Sequence, residues 1–181
     1  MEFIKRNSKI FVLSGKARSG KDTVADIIKE YYKDKKVIII SFGHYIKDYV
    51  KRISNWDGNE DTKPRELLQQ LGIELVKNKI DNKLFIKRII DDIEVFSYFY
   101  DIIIIDDARL KDEIEILKEK YPKSKTIRVI RENYKNNLTF DQNNHLTEID
   151  LDNYTDFDYV IKNNNNYIEL SDKIKDILRS I

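Results

Sequence analysis

Apolar residues fall into two kinds of stretch along this chain. Those of the first kind are short and continuous: residues 10–14, 36–42, 102–107, 125–130 and 158–161, each bounded by charged residues or glycine. Runs of this length, rich in Ile and Val, predict strands buried on both faces, as in a parallel sheet. The second kind repeats with helical period. Val24, Ile27, Ile28, Tyr31 and Tyr32 follow the i, i+3, i+4, i+7, i+8 spacing, and Tyr45, Ile46, Tyr49, Val50 and Ile53 outline another amphipathic helix. A third helix is expected to start at residues 62–64, where a capping Thr precedes Pro64, and to run to Gly72 or a little beyond. A fourth begins near Asp81 and buries Ile86, Ile89, Ile90 and Ile93; a fifth turns Ile114, Leu117 and Tyr121 inward; Leu170, Ile174, Ile177, Leu178 and Ile181 form the last. Residues 132–155 are polar, Asn-rich and almost without period, which reads as a long loop, of the kind that is either functional or disordered.

Strands alternating with helices predict an α/β fold built as a three-layer parallel sheet, a single domain over residues 1–181 with no internal repeat. The two helices expected between the second and third strands exceed what a crossover needs. Residues 43–100 are therefore expected to carry a substrate-binding insertion over the open strand ends, and residues 131–155 a lid.

The first strand runs into Gly15, Lys16, Ala17, Arg18, Ser19, Gly20, Lys21, Asp22 and Thr23. Glycine, four residues, glycine and lysine between a strand and a helix is the pattern of a phosphate-binding P-loop. The glycines let backbone N–H groups approach phosphate oxygens, the helix aims its positive end at them, and Lys21 reaches the β- and γ-phosphates. The position after the lysine, normally Ser or Thr, is Asp22, with the hydroxyl displaced to Thr23. Both are candidates for Mg²⁺. The third strand ends in Asp106 and Asp107, as in the second acidic motif of P-loop proteins.

Composition narrows the partners. Charged residues make up 36% of the chain yet leave a formal net charge of +1, so there is no global basic field to drive nucleic-acid or membrane binding. No cysteine is available for disulfides or thiolate metal sites, and two histidines leave little for zinc. His44 and His145 are expected as loop or capping residues. No run approaches the roughly 20 apolar residues of a membrane span, and a soluble cytoplasmic protein is expected. A homodimer is left open.

Taken together, residues 15–23, Arg65-Glu66-Leu67-Leu68-Gln69-Gln70-Leu71-Gly72, Asp107-Ala108-Arg109 with Glu113, and His145-Leu146-Thr147-Glu148 with Leu151-Asp152 resemble the phage-type deoxynucleoside monophosphate kinases. The resemblance implies a P-loop NTPase fold, ATP and Mg²⁺ as cofactors, and transfer of phosphate to a nucleoside monophosphate. It implies that residues 15–23 hold the ATP phosphates and that Asp107 faces Mg²⁺ or the transferring group. Arg109 would bind the acceptor or transferred phosphate, Arg65 and Gln69 would line the monophosphate pocket, and Arg131 would be the lid arginine. Lys47, after the second strand, is a further candidate for substrate. Glu148 matches the family pattern without an independent physical reason.

The mechanism follows from the chemistry alone. A phosphate monoester has its second pKa near 6, so it is an anionic nucleophile at neutral pH and needs no general base. Alignment, cations and exclusion of water suffice. Rival readings are another small-molecule kinase, such as a dephospho-coenzyme A or thymidylate kinase, and a GTPase or nucleic-acid-stimulated ATPase without an acceptor. Asn78-Lys79-Ile80-Asp81 matches the guanine-reading element of GTPases, but it joins two helices upstream of the acidic strand. No Asp-x-x-Gly accompanies it, since Val12, Ala17, Ile40, Asn55 and Gln69 stand three before the glycines.

Overall fold

The computed structural model describes residues 2–132, 134 and 138–181. Five strands form one parallel sheet: β1 (Lys9–Ser14), β2 (Val37–Ile40), β3 (Ile102–Ala108), β4 (Lys125–Ile130) and β5 (Tyr159–Lys162), in the order β2-β3-β1-β4-β5. All five predicted strands are present. Their apolar runs are continuous because both faces are covered. Phe11, Leu13, Ile102, Ile104, Ile127 and Val129 pack against α1 (Lys21–Tyr31) and α8 (Tyr167–Arg179). Ile10, Val12, Ile103 and Ile105 pack the opposite way, against α4 (Leu84–Phe96) and α5 (Lys111–Lys120). Ile104, on β3 between β2 and the central β1, is fully buried. Its replacement by alanine is expected to cost about 2–5 kcal/mol, read as a fall in the midpoint of urea unfolding at unchanged slope.

The connections leave β1 and β3 in opposite directions, to α1 on one face and α5 on the other. Their carboxyl ends border a crevice at the topological switch point of the sheet. The phosphate loop lies there. Gly20 adopts φ 101°, and a Cβ on it would fall 2.3 Å from Nδ2 of Asn163, which itself donates to the Ser19 carbonyl at 2.9 Å. A Cβ on Gly15 would fall 2.5 Å from the Val129 carbonyl of the neighbouring strand.

Three expectations need correction. The second helix, α2 (Phe42–Ser54), begins at Phe42, before the first position of the expected pattern at Tyr45. The third is α3 (Arg65–Gln69), which does not stop at Gly72 but passes into wide π-helical turns over Gln70–Ile80, closed by the Asp81 amide donating to the Val76 carbonyl at 2.9 Å. Leu71, Gly72, Ile73 and Val76 are buried there. Gly72 permits close approach to α2, since a Cβ on it would meet Ile46 at 3.1 Å, so tertiary packing overrides its value as a stop signal. The stretch 132–155 holds two short helices, α6 (Phe140–Asn143) and α7 (Leu146–Ile149). Thr139 caps the first through Gln142, and His145 caps the second by accepting from the Thr147 amide. Residues 133 and 135–137 of the expected lid lie outside the described residues. Among the described residues, no helix is long and apolar enough to cross a membrane.

Candidate active site

A cleft of about 660 Å³ opens at the switch point, between the phosphate loop, α2, the α3–π segment and the start of α5. Lys21 lies buried at its inner end, its Nζ donating to the carbonyls of Gly15 (2.9 Å) and Lys16 (3.0 Å). Burial, reinforced by the Arg109 charge, brings its pKa down to about 8 against the opposing pull of nearby carboxylates. Ala17, Arg18, Gly20 and Asp22 line the same end. Thr23 is half-buried and stands outside the lining, while the side chain of Lys16 turns away to pair with Asp152 at 2.8 Å. Ser19 is buried, its Oγ making no hydrogen bond.

The two carboxylates at the end of β3, where the β1–β3 register shifts between Val12 and Ser14, are distinguished by their partners. Asp107 anchors α2, its two oxygens accepting from the Phe42 and Gly43 amides at 2.8 Å each. Asp106 lies within electrostatic reach of Asp22 and Lys21 at the phosphate loop. Its Oδ1 is buried without a hydrogen-bond partner, and burial, with repulsion from Asp107 and Asp22, pushes its carboxyl up to about 7; Lys47 and Lys21 partly offset this. The acidic group with an unpartnered oxygen, electrostatically coupled to Asp22 and Lys21, is therefore Asp106, whereas Asp107, expected to face the metal, is engaged by α2.

Arg109 reaches the cleft from the β3–α5 turn and pairs with Oε1 of Glu148. Its backbone amide donates to Glu113 Oε2 at 2.7 Å, as does that of Leu110 at 2.9 Å. Burial pushes Glu113 up to about 8, against these two donors. On the far wall, Arg65 Nη2 and Lys63 Nζ share Glu60, at 2.8 and 3.0 Å, with Lys47 lining the cleft beside them. Burial lowers the Lys63 pKa. Gln69 Nε2 donates to the Gln142 carbonyl of α6 at 3.3 Å, joining the insertion to the 131–155 segment.

Arg131, expected as the lid arginine, is outside the cleft lining, its guanidinium 4.2 Å from the Tyr134 ring centroid. The β4 arginine that does touch the phosphate-loop strand is Arg128, in register with Ser14 and donating to its Oγ at 2.9 Å. Sequence reading missed it, along with Lys63 and Glu60. A charge inside a buried strand was the available signal for Arg128, and adjacency to Arg65 for the other two. The Asn78–Asp81 element ends the π segment, with Asp81 accepting from the Lys83 amide at 2.9 Å. This is a turn at a helix end.

Among the described residues, no group of three or more His, Cys, Asp or Glu side chains is gathered to hold a metal. Asp22 and the orphaned Asp106 nevertheless suit Mg²⁺, which is bound through one or two carboxylates together with nucleotide phosphates.

A family model described as phosphomevalonate kinase matches residues 13–123, more than half of the chain. The chain belongs to the phosphomevalonate kinase family. Lys21, Asp22, Lys47, Arg65, Asp106 and Arg109 all lie inside the part matched by the phosphomevalonate kinase family, whereas Arg128, Glu148 and Asp152 lie beyond it. The chain is 33% identical over 116 residues to the deoxynucleotide monophosphate kinase of Enterobacteria phage T4, which bears out the resemblance carried by the motifs. That match spans 64% of this chain and 45% of the phage protein, less than half of the relative's length.

Solved structures extend the likeness of this family member to the whole chain. An APS kinase of Mycobacterium tuberculosis aligns with TM-score 0.56 and 10% identity over 96% of this chain and 99% of that one. Shikimate kinase from Acinetobacter baumannii, in complex with shikimate, aligns with TM-score 0.54 and 14% identity over 97% and 95%. At these identities they show the shared P-loop kinase fold.

Proposed function

We propose that the chain transfers the γ-phosphoryl group of Mg-ATP to a phosphate monoester, and that this acceptor is a nucleoside monophosphate, a deoxynucleotide in particular. The observation that carries the reading is the continuity of one cleft, with the phosphate loop, Lys21, Asp22 and Asp106 at one end and Lys47, Lys63 and Arg65 along the other. A switch or ATPase without an acceptor has no use for the second cationic wall. The phage relative supports the nucleotide acceptor by its name.

In this reading, the α1 N-terminus and the phosphate-loop amides other than those of Ala17 and Ser19, which donate to Glu148 and to the Lys16 carbonyl, bind the ATP phosphates, with Lys21 at the β- and γ-phosphates. Mg²⁺, held by Asp22 and Asp106, would neutralise charge on the phosphate oxygens. Arg65, Lys63 and Lys47 hold the acceptor phosphate, and Arg109, between the two ends, spreads charge over the group in flight. One acceptor oxygen bonds to the γ-phosphorus as the bond to the β–γ bridging oxygen breaks, leaving ADP. The acceptor is already anionic at neutral pH, so no protein base is required.

A second reading is favoured by the family model: the acceptor is phosphomevalonate, also a phosphate monoester. ADP release from Mg-ATP with each common dNMP, each NMP and phosphomevalonate in turn separates the two. Release confined to a subset of monophosphates names the substrate. Release with phosphomevalonate alone moves the acceptor to the second reading, and slow release indifferent to every acceptor would sink both.

A further inference from the structure

The segment after α6 approaches the reaction centre with three carboxylates, each docked on a different element. Glu148, on α7 and only 7% exposed, uses both oxygens: Oε1 pairs with Nη1 of Arg109, and Oε2 accepts from the Ala17 amide of the phosphate loop at 2.9 Å. Asp150 accepts from the Lys111 amide at the start of α5 at 2.7 Å. Asp152 accepts from Lys16 at 2.8 Å and lies 3.7 Å from Arg128 Nη2. Leu151, 3% exposed, is inserted into the core cluster beneath α4 and α5, fixing this foot to the sheet.

We propose that Glu148 is a positioning residue for phosphoryl transfer, its carboxylate tying the Arg109 guanidinium to the Ala17 amide so that arginine and phosphate loop keep one fixed relation. The inference rests on the kinase reading above. A charged hydrogen-bonded fork is directional, and here the Glu148 carboxylate is buried while the Arg109 side chain is 27% exposed, so the carboxylate is the fixed end that orients the guanidinium. Without it, Arg109 remains tethered by its backbone, through Glu113, while its guanidinium is free to rotate. Misplacement of a charge-stabilising group by about 1 Å is worth roughly 10²-fold in rate. Asp150 and Asp152 dock the same segment through a backbone amide and solvent-exposed Lys16, so they set where α7 lies without directing Arg109.

The test is a double-variant cycle in kcat, with Mg-ATP and the acceptor the panel identifies. Glu148→Gln keeps an oxygen for the Ala17 amide but offers Arg109 no anion. It is expected to lower kcat roughly 10²-fold while the KM for ATP stays within about threefold. Glu148→Asp is expected to recover part of the loss. In an Arg109→Gln background, E148Q is expected to have little further effect, because the two act as one unit. Amide exchange at Ala17 read by NMR, which needs no turnover, is expected to quicken in Glu148→Ala, which removes the acceptor, and to stay near wild type in E148Q, which keeps it. Should E148Q fail to fold, Glu148→Asp carries the same comparison. A kcat for E148Q within threefold of wild type, or an undiminished loss in the Arg109→Gln background, would overturn the positioning role while leaving the kinase intact. A wild-type protein that releases no ADP with any acceptor would instead overturn the kinase reading, and this role with it.

Discussion

Lys21→Ala is expected to lower kcat/KM for phosphoryl transfer by about 10²–10³-fold, the loss typical when one preorganised charge-stabilising donor is removed. Lys21 is buried and donates to the Gly15 and Lys16 carbonyls, so its ammonium is fixed at the mouth of the loop without needing to be ordered in the transition state. Its charge is also conditional. With a pKa of about 8 in the free protein, Lys21 loses its proton as pH rises through that value, and the alkaline limb of kcat/KM is expected there, since this parameter reports the free enzyme. The alanine variant removes both the rate and that limb, measured as initial ADP release across pH 6–9 with saturating Mg²⁺.

Asp106→Asn is expected to have the second largest effect, a fall in kcat of roughly 10²-fold with a requirement for much more Mg²⁺, whereas Asp107→Asn acts chiefly on stability. Asp106 Oδ1 has no hydrogen-bond partner among the described residues, and its carboxyl sits at about 7 because burial and the neighbouring Asp107 and Asp22 oppose its charge. The anion that suits Mg²⁺ is formed only as pH rises through 7, so the acid limb of kcat/KM is expected near 7 and should fall back in the asparagine variant to the acceptor's own ionisation near 6. Stability moves in the opposite sense. A carboxyl whose folded pKa lies above its unfolded value favours the folded state most when protonated, and that contribution is lost as pH rises through about 7. Without Mg²⁺, D106N is therefore expected to melt above wild type at pH 8, the difference shrinking as pH falls toward 4. Asp107→Asn, by contrast, turns one acceptor of the Phe42 and Gly43 amides into a donor and is expected to cost about 1–3 kcal/mol. A lower melting temperature in D107N with a preserved Mg²⁺ requirement distinguishes the two carboxylates.

That distinction shows how the sequence carried part of the site and withheld the rest. The strands were legible because each is covered on both faces, as in residues 102–105, where alternate isoleucines enter opposite layers. The phosphate loop was legible because its function is carried by local backbone, with Gly20 at positive φ. Which of Asp106 and Asp107 is left for the loop depends on which one the α2 N-terminus takes, and the register shift at the end of β3 hides that from the dipeptide. Arg128 gains its meaning from register, opposite Ser14 on a strand 114 residues earlier. The four-residue helices α6 and α7 are too short to show a period. The π segment runs on through Gly72 because it packs on Ile46, and Glu148 acquires a physical role only when α7 is folded back onto Ala17 and Arg109.

The most direct test of the central claim follows the phosphoryl group itself. Wild-type protein is incubated with ATP labelled at the γ-phosphorus, Mg²⁺ and each candidate acceptor, and the labelled products are separated. The account predicts label in a diphosphate of one acceptor class, formed in equal amount to ADP and absent with Lys21→Ala. Label found only in inorganic phosphate, at a rate unchanged by any acceptor, would contradict it.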